Sequence, residues 1–151
     1  PTTVILDNPH QLEEVVTHLV RVGFDDIGGY LQGGIDAWET SGYRLDTLKT
    51  VSVHDLASAL ERDRRGMTVL DVRIHKEGKC GHIDDAIHIH CGTCQARCDR
   101  VPRDQPIAVI CGSGYRASIA GSFLKRNGID DVSNVVGGMT AWKAAGLPTT
   151  V

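Results

Sequence analysis

The sequence predicts an α/β domain built on a mainly parallel sheet, and three observations carry that prediction. Short apolar runs of strand length recur at residues 68–72, 86–89, 107–110 and 132–136. Stretches with helical spacing of apolar residues stand between them. Gly128 and Gly146 sit where two of those helices should stop. Strands alternating with helices imply crossover connections, which leave neighbouring strands parallel.

Taken in order, Ser52 and Asp55 form a variant of a helix-capping box. The helix they open carries Val53, Leu56, Ala57 and Leu60 on one face. Thr68-Val69-Leu70-Asp71-Val72 reads as a short buried strand, and residues 86–89 as another. A weak helical pattern surrounds Gln95. The strand 107–110 is followed by a strong helix over 117–127, with Ile119, Ala120, Phe123 and Leu124 as its expected stripe. A strand over 132–136 and a helix over 139–145 complete the unit.

The whole-chain figures narrow the function. A length of 151 residues allows one full domain plus a fragment, and 41% hydrophobic residues suits a globular protein. No apolar stretch approaches the ~20 residues that span a bilayer, and no basic leader precedes an apolar core. Net charge is −3 without any Lys/Arg run, which argues against nucleic-acid or anionic-membrane partners. All five cysteines fall between positions 80 and 111. An odd, clustered set is not a secreted disulfide framework, so reduced thiols in a cytoplasmic setting are expected.

The chain also nearly repeats itself. With Pro1 laid on Pro106, Val4-Ile5 falls on Val109-Ile110, and residues 23–27 on 128–132. After a one-residue gap, Gly33-Gly34-Ile35-Asp36-Ala37-Trp38 falls on Gly137-Gly138-Met139-Thr140-Ala141-Trp142. This period suits tandem domains. Residues 1–47 therefore read as the C-terminal half of a unit whose front half lies upstream, and residues 48–151 as a complete unit. Half a domain leaves apolar residues uncovered. Val4, Ile5, Val15, Val16, Leu19, Val20 and Leu31 are expected to pack on the second unit or on a symmetric partner in a homodimer.

The chemistry is concentrated in Cys111-Gly112-Ser113-Gly114-Tyr115-Arg116, at a strand-to-helix turn. Such a turn aims backbone amides and the positive end of a helix at the sulfur, favouring thiolate. The two glycines let the backbone curl, and Arg116 adds a permanent positive charge. The set suits a nucleophile that carries and releases an anionic group. In the first unit Leu6 replaces Cys111 and Gln11 replaces Arg116, so the turn occurs once.

Three motifs together resemble the rhodanese family of sulfurtransferases. They are Leu70-Asp71-Val72-Arg73 with Glu77 and Gly81-His82-Ile83, the loop from Cys111 to Arg116, and residues 137–142. The resemblance covers residues 48–151. It implies a three-layer rhodanese-like domain preceded by a partial, inactive second unit. It also implies thiosulfate sulfurtransferase activity without a cofactor, in which a sulfane sulfur moves from a small donor to a thiol or cyanide through a Cys111 persulfide. The amides of residues 112–116 would hold the substrate, with Ser113 as a further contact. Arg116 would steer anionic donors or fix the loop. Asp71, Arg73, Glu77 and His82 would be structural support, Asp71 and Arg73 tying the loop to the sheet through an ion pair. Gly78, Asp84-Asp85 and His90 depart from the family pattern, in stretches of structural rather than chemical weight.

Tandem units with this loop are similar to those appended to metallo-β-lactamase-fold proteins that oxidise persulfides. The alternative function is thus a non-catalytic regulatory or sulfur-relay module serving such an upstream domain. A phosphatase of the same fold would hold one more residue between its cysteine and arginine. His88, His90, Cys91, Cys94 and Cys98 invite a zinc reading, but the cysteines' i, i+3, i+7 spacing is that of buried helix positions, and no metal is expected. Cys80 is expected to be exposed, and Trp38 and Trp142 to be packing anchors.

Overall fold

The computed structural model describes residues 1–151 as two compact units, Pro1–Thr47 and Leu48–Val151. In the first, β1 (Thr2–Val4) pairs in parallel with β2 (Ile27–Tyr30), and α1 (Leu12–Arg21) and α2 (Gly34–Thr40) follow the two strands. Val4 is buried, Val15, Val16, Leu19 and Leu31 are half-buried, and Ile5 and Val20 are exposed.

The second unit holds β3 (Lys49–Val51), α3 (Val53–Arg62), β4 (Thr68–Asp71), α4 (His75–Gly78), β5 (Ile87–His88), β6 (Ile107–Ile110), α5 (Tyr115–Arg126), β7 (Val132–Val135) and α6 (Gly138–Ala144). Its five strands form one sheet in the order β3-β7-β6-β4-β5, every pair parallel. Successive side chains of a strand point to opposite faces, so β6 feeds two cores. Ile107 and Val109 pack with Leu70, Ala117, Ala120 and Leu124 on the α5 side. Ala108 and Ile110 pack with Val53, Leu56, Leu60, Met139 and Trp142 on the α3 and α6 side. The result is a parallel sheet with helices on both faces, the three-layer arrangement that the resemblance implies.

The α3 expectation holds in detail. The Ser52 hydroxyl accepts from the Asp55 amide at 3.1 Å, and Val53, Leu56, Ala57 and Leu60 are its buried residues. Ser52→Ala should cost about 1 kcal/mol of stability, the usual value of such a cap. Urea unfolding measures it, and an unchanged midpoint would show that the cap contributes nothing.

Other expectations need correction. The buried stripe of α5 is Ala117, Ala120, Gly121 and Leu124, while Ile119 is exposed. Small residues face inward because the helix is crowded: a Cβ on Gly121 would meet a Leu48 methyl at 2.8 Å. The cysteine-bearing stretch is two 3-10 pieces, Cys91–Thr93 and Gln95–Arg100, the second interrupted at Arg97, and not one helical face. β3 and α4 leave no mark in the sequence pattern, since three strand residues and a polar His-Lys-Glu-Gly turn carry no apolar period. Trp142 is a buried anchor donating to the Pro148 carbonyl at 2.9 Å. Trp38 is partly exposed against Tyr43, with ring centroids 4.5 Å apart.

The repeat has a structural counterpart. Strand, helix, parallel strand and helix follow in the same order in both copies. Gly34 and Gly138 share a positive φ, 62° and 53°. A Cβ on Gly34 would meet the Leu6 carbonyl oxygen, and one on Gly138 the Cys111 carbonyl oxygen. Leu6 and Cys111 are the residues that the sequence repeat aligns.

Candidate active site

Cys111 directly follows β6, a central strand, at the carboxyl edge where parallel sheets place their ligands. It continues the parity of Ile107 and Val109, joins the α5-side core, and is only 1% exposed. The loop turns at Gly114, the N-cap of α5, whose φ of 107° disfavours any residue with a Cβ. The turn brings the Gly114 N–H to 3.1 Å from the Cys111 sulfur, to which it donates. Of the amides of residues 112–116 expected to surround the sulfur, Gly114 supplies this bond to the bare thiol. Ser113 and Tyr115 are exposed.

The outer wall of the loop comes from the closing motif. The Met139 amide donates to the Cys111 carbonyl at 2.7 Å, and the Thr140 amide to the Gly112 carbonyl at 3.0 Å. Two loop carbonyls are thereby occupied on the α6 side, which keeps them from competing for the sulfur's surroundings. Gly138 makes the approach possible, since a Cβ there would lie 2.3 Å from the Cys111 oxygen. Asn134, on β7, donates through Nδ2 to the Gly114 carbonyl at 3.1 Å, and its buried Oδ1 has no partner. In the sequence, Gly138, Met139 and Thr140 stand out as a motif at the start of a helix, whereas Asn134 lies in a strand run with nothing to mark it. No local pattern marks a strand asparagine as a loop clamp.

Arg116 and Glu77 form a two-pronged ion pair at 2.7 and 2.8 Å. Gly112 leaves room for it, because a Cβ there would lie 3.1 Å from Arg116 Nη2. The hydrogen bond from Arg116 is the main reason that the Glu77 carboxyl is lowered from 4.5 to about 2; burial opposes it, and the Ile74 amide and the Arg116 and Arg73 charges assist. Arg116 is held above its ordinary value first by the Glu77 hydrogen bond, with a smaller contribution from Cys111. Both side chains are 33% exposed, so screening limits the pair to of order 1 kcal/mol. Its sign with pH follows from the depressed carboxyl. The stabilisation is complete above about pH 4.5 and is lost as pH falls toward about 2. Urea midpoints of the wild type and Glu77→Gln should therefore converge over that interval. A gap that stays constant there would rule out this ion pair as its source.

Asp71 and Arg73 pair with each other while almost fully buried, with Nη2 to Oδ2 at 2.6 Å and Nε to both oxygens at 3.0 Å. Arg73 also donates to the Gly81 and Glu77 carbonyls. The pair thus anchors segment 77–81, and reaches the Cys111 loop only through Glu77, where a direct tie was expected. His82 Nδ1 lies 3.2 Å from the Gly78 carbonyl, and its backbone bridges to Thr150. Cys94 and Cys98 are buried, Cys91 is half-buried and Cys80 exposed, all as free thiols. No group of three His, Cys, Asp or Glu side chains is arranged to hold a metal ion. An open groove of about 340 Å³ runs beside the loop, lined by Gly112, Thr140, Glu77, Lys76, Lys143 and Cys80 among others.

The family model of the rhodanese-like domain matches residues 52–145. The chain belongs to the rhodanese family. This rhodanese domain is 30% identical over 103 residues to "Thiosulfate sulfurtransferase GlpE" of Actinobacillus pleuropneumoniae serotype 3, covering 68% of the chain and 94% of that protein. It is 30% identical over 104 residues to "Putative sulfur carrier protein YrkF" of Bacillus subtilis, of whose length the match spans 56%. The crystal structure of a rhodanese-related protein from Thermoplasma volcanium superposes with a TM-score of 0.61 at 30% identity, over 68% of this chain and 97% of that one. No helix in the rhodanese chain is long and apolar enough to cross a membrane.

Proposed function

We propose that the protein is a sulfurtransferase that takes a sulfane sulfur from a small donor such as thiosulfate onto Cys111 and hands it to a thiol or to cyanide. The Cys111 thiolate attacks the outer sulfur of the donor, sulfite leaves, and a persulfide remains. Attack by the acceptor on the outer sulfur then restores the thiolate. The supporting observation is the Cys111 sulfur at the carboxyl edge of β6, receiving the Gly114 N–H beneath a loop whose arginine is clamped by Glu77. An added sulfur would sit about 2.05 Å from Sγ. Burial of Cys111 selects a donor small enough to enter the loop.

The second reading is a sulfur carrier or relay, serving an upstream metallo-β-lactamase-fold domain. The similarity to a protein named as a putative sulfur carrier favours the carrier role alone. In both readings residues 1–47 are the second half of an inactive rhodanese unit and a candidate dimer surface. The odd, clustered set of five cysteines supports a reducing, cytoplasmic setting.

Intact mass after mixing with thiosulfate tests the reading. One extra sulfur, removed by cyanide, is expected. No adduct with any sulfane donor would reject it, and an adduct without catalytic turnover would select the carrier.

A further inference from the structure

Four of the five cysteines belong to one cluster. Cys94, Cys98 and Cys111 are buried in the same core, and half-buried Cys91 packs against it. Each thiol lies close enough to feel the next: Cys94 interacts electrostatically with Cys98 and with Cys91, and Cys91 with Cys111. Cys91 is therefore the link between the group and the nucleophile. The sheet puts it there. The Cys91 amide donates to the Val72 carbonyl at 3.1 Å, and the Val72 amide to the Ile110 carbonyl at 2.9 Å. Cys91 and Cys111 thus stand beyond the carboxyl ends of the two strands that flank β4. The Cys91 sulfur lies 3.5 Å from the Arg116 carbonyl oxygen, against the first turn of the helix that closes the active-site loop.

We propose that Cys91 resolves the Cys111 persulfide, giving the protein a second activity: release of hydrosulfide with closure of a Cys91–Cys111 disulfide. This rests on the persulfide reading above. The Cys91 sulfur attacks Sγ of Cys111, and a bond forms between the two cysteine sulfurs. The bond from Sγ to the sulfane sulfur breaks, and that sulfur leaves as hydrosulfide with the proton of the Cys91 thiol. The sulfane sulfur is reduced and Cys91 is oxidised, so no outside oxidant enters. Two external thiols then reduce the disulfide and are themselves joined as one.

The geometry makes this step slower than sulfur uptake. Two strand spacings of about 4.8 Å separate the positions, more than the roughly 4.4–6.8 Å between Cα atoms of a disulfide. The turn Cys91–Thr93 must therefore move inward by about 3 Å. Burial also pushes the Cys91 thiol up, so that it stays protonated. An external acceptor at working concentration takes the sulfur first, and resolution clears a loaded site when acceptor is scarce.

The test loads the full chain with thiosulfate, removes the excess, and follows intact mass and free hydrosulfide without acceptor over minutes to hours. The sulfur adduct should give way to a species two hydrogens lighter than the reduced protein, with hydrosulfide appearing in step and a peptide map joining Cys91 to Cys111. Cys91→Ser and Cys91→Leu should both load normally and release hydrosulfide at least about tenfold more slowly. The polar and the apolar replacement together separate lost chemistry from disturbed packing. A wild-type adduct that keeps its sulfur would overturn the proposal. So would release by both variants at the wild-type rate, or a disulfide running to Cys80, Cys94 or Cys98. If Cys111 takes up no sulfur at all, the proposed function itself fails and this inference with it.

Discussion

Cys111→Ser should lower sulfur transfer by at least ~10³-fold while leaving the fold in place. Serine matches cysteine in shape closely enough to keep the Gly114 N–H bond, now to Oγ, in a position that is 1% exposed. What it loses is a polarizable, readily ionised nucleophile that can form and break a bond to sulfur. Steady-state assays with thiosulfate and cyanide measure the rate, and a thermal melt checks the fold. The melt should move by only a few degrees, which corresponds to about 1 kcal/mol in a domain of this size. Retained activity would transfer the chemistry to another thiol, with Cys80 the exposed candidate and Cys91 the nearer one.

Gly138→Ala should cost roughly 2–5 kcal/mol and abolish persulfide formation, though the residue touches no substrate. Two penalties add. The position has φ of 53°, where a Cβ costs roughly 1–2 kcal/mol. That Cβ would also lie 2.3 Å from the Cys111 oxygen and 2.7 Å from two Gly112 atoms, contacts that only a backbone shift relieves at roughly 1–3 kcal/mol. The shift separates the Met139 and Thr140 amides from the loop carbonyls they hold. Gly146→Ala is the control. Its φ of 66° is similar, but nothing lies within 4 Å of the added atom, so only the conformational penalty applies. Urea unfolding of both variants, with intact-mass loading, separates the two terms. Equal losses in the two would mean that close packing against the loop has no role.

How far the sequence can be read depends on whether a feature is local. The face of α3 and the run of β6 were legible because apolar period is a property of neighbouring residues. Cys111 was legible because a thiol between glycines, after a strand and before a helix, states its own environment. For the α5 stripe, periodicity alone prefers the large Ile119, whereas the crowded approach of Leu48 demands Gly121. Spacing alone puts the three cysteines after β5 on one helix face, because it does not reveal the break at Arg97.

The sequence by itself determined the alternating α/β order, the parallel sheet, the internal repeat and the single reactive loop, because each is written in short-range pattern. Only the tertiary structure decided what holds that loop. Glu77 on Arg116, the Asp71–Arg73 pair on the Glu77 segment, α6 amides on the Cys111 and Gly112 carbonyls, and Asn134 on Gly114 all join residues from different elements. Such contacts form when strands distant in sequence become neighbours in the sheet. A hydrogen bond between elements follows from that neighbourhood and from no local arrangement of residue types.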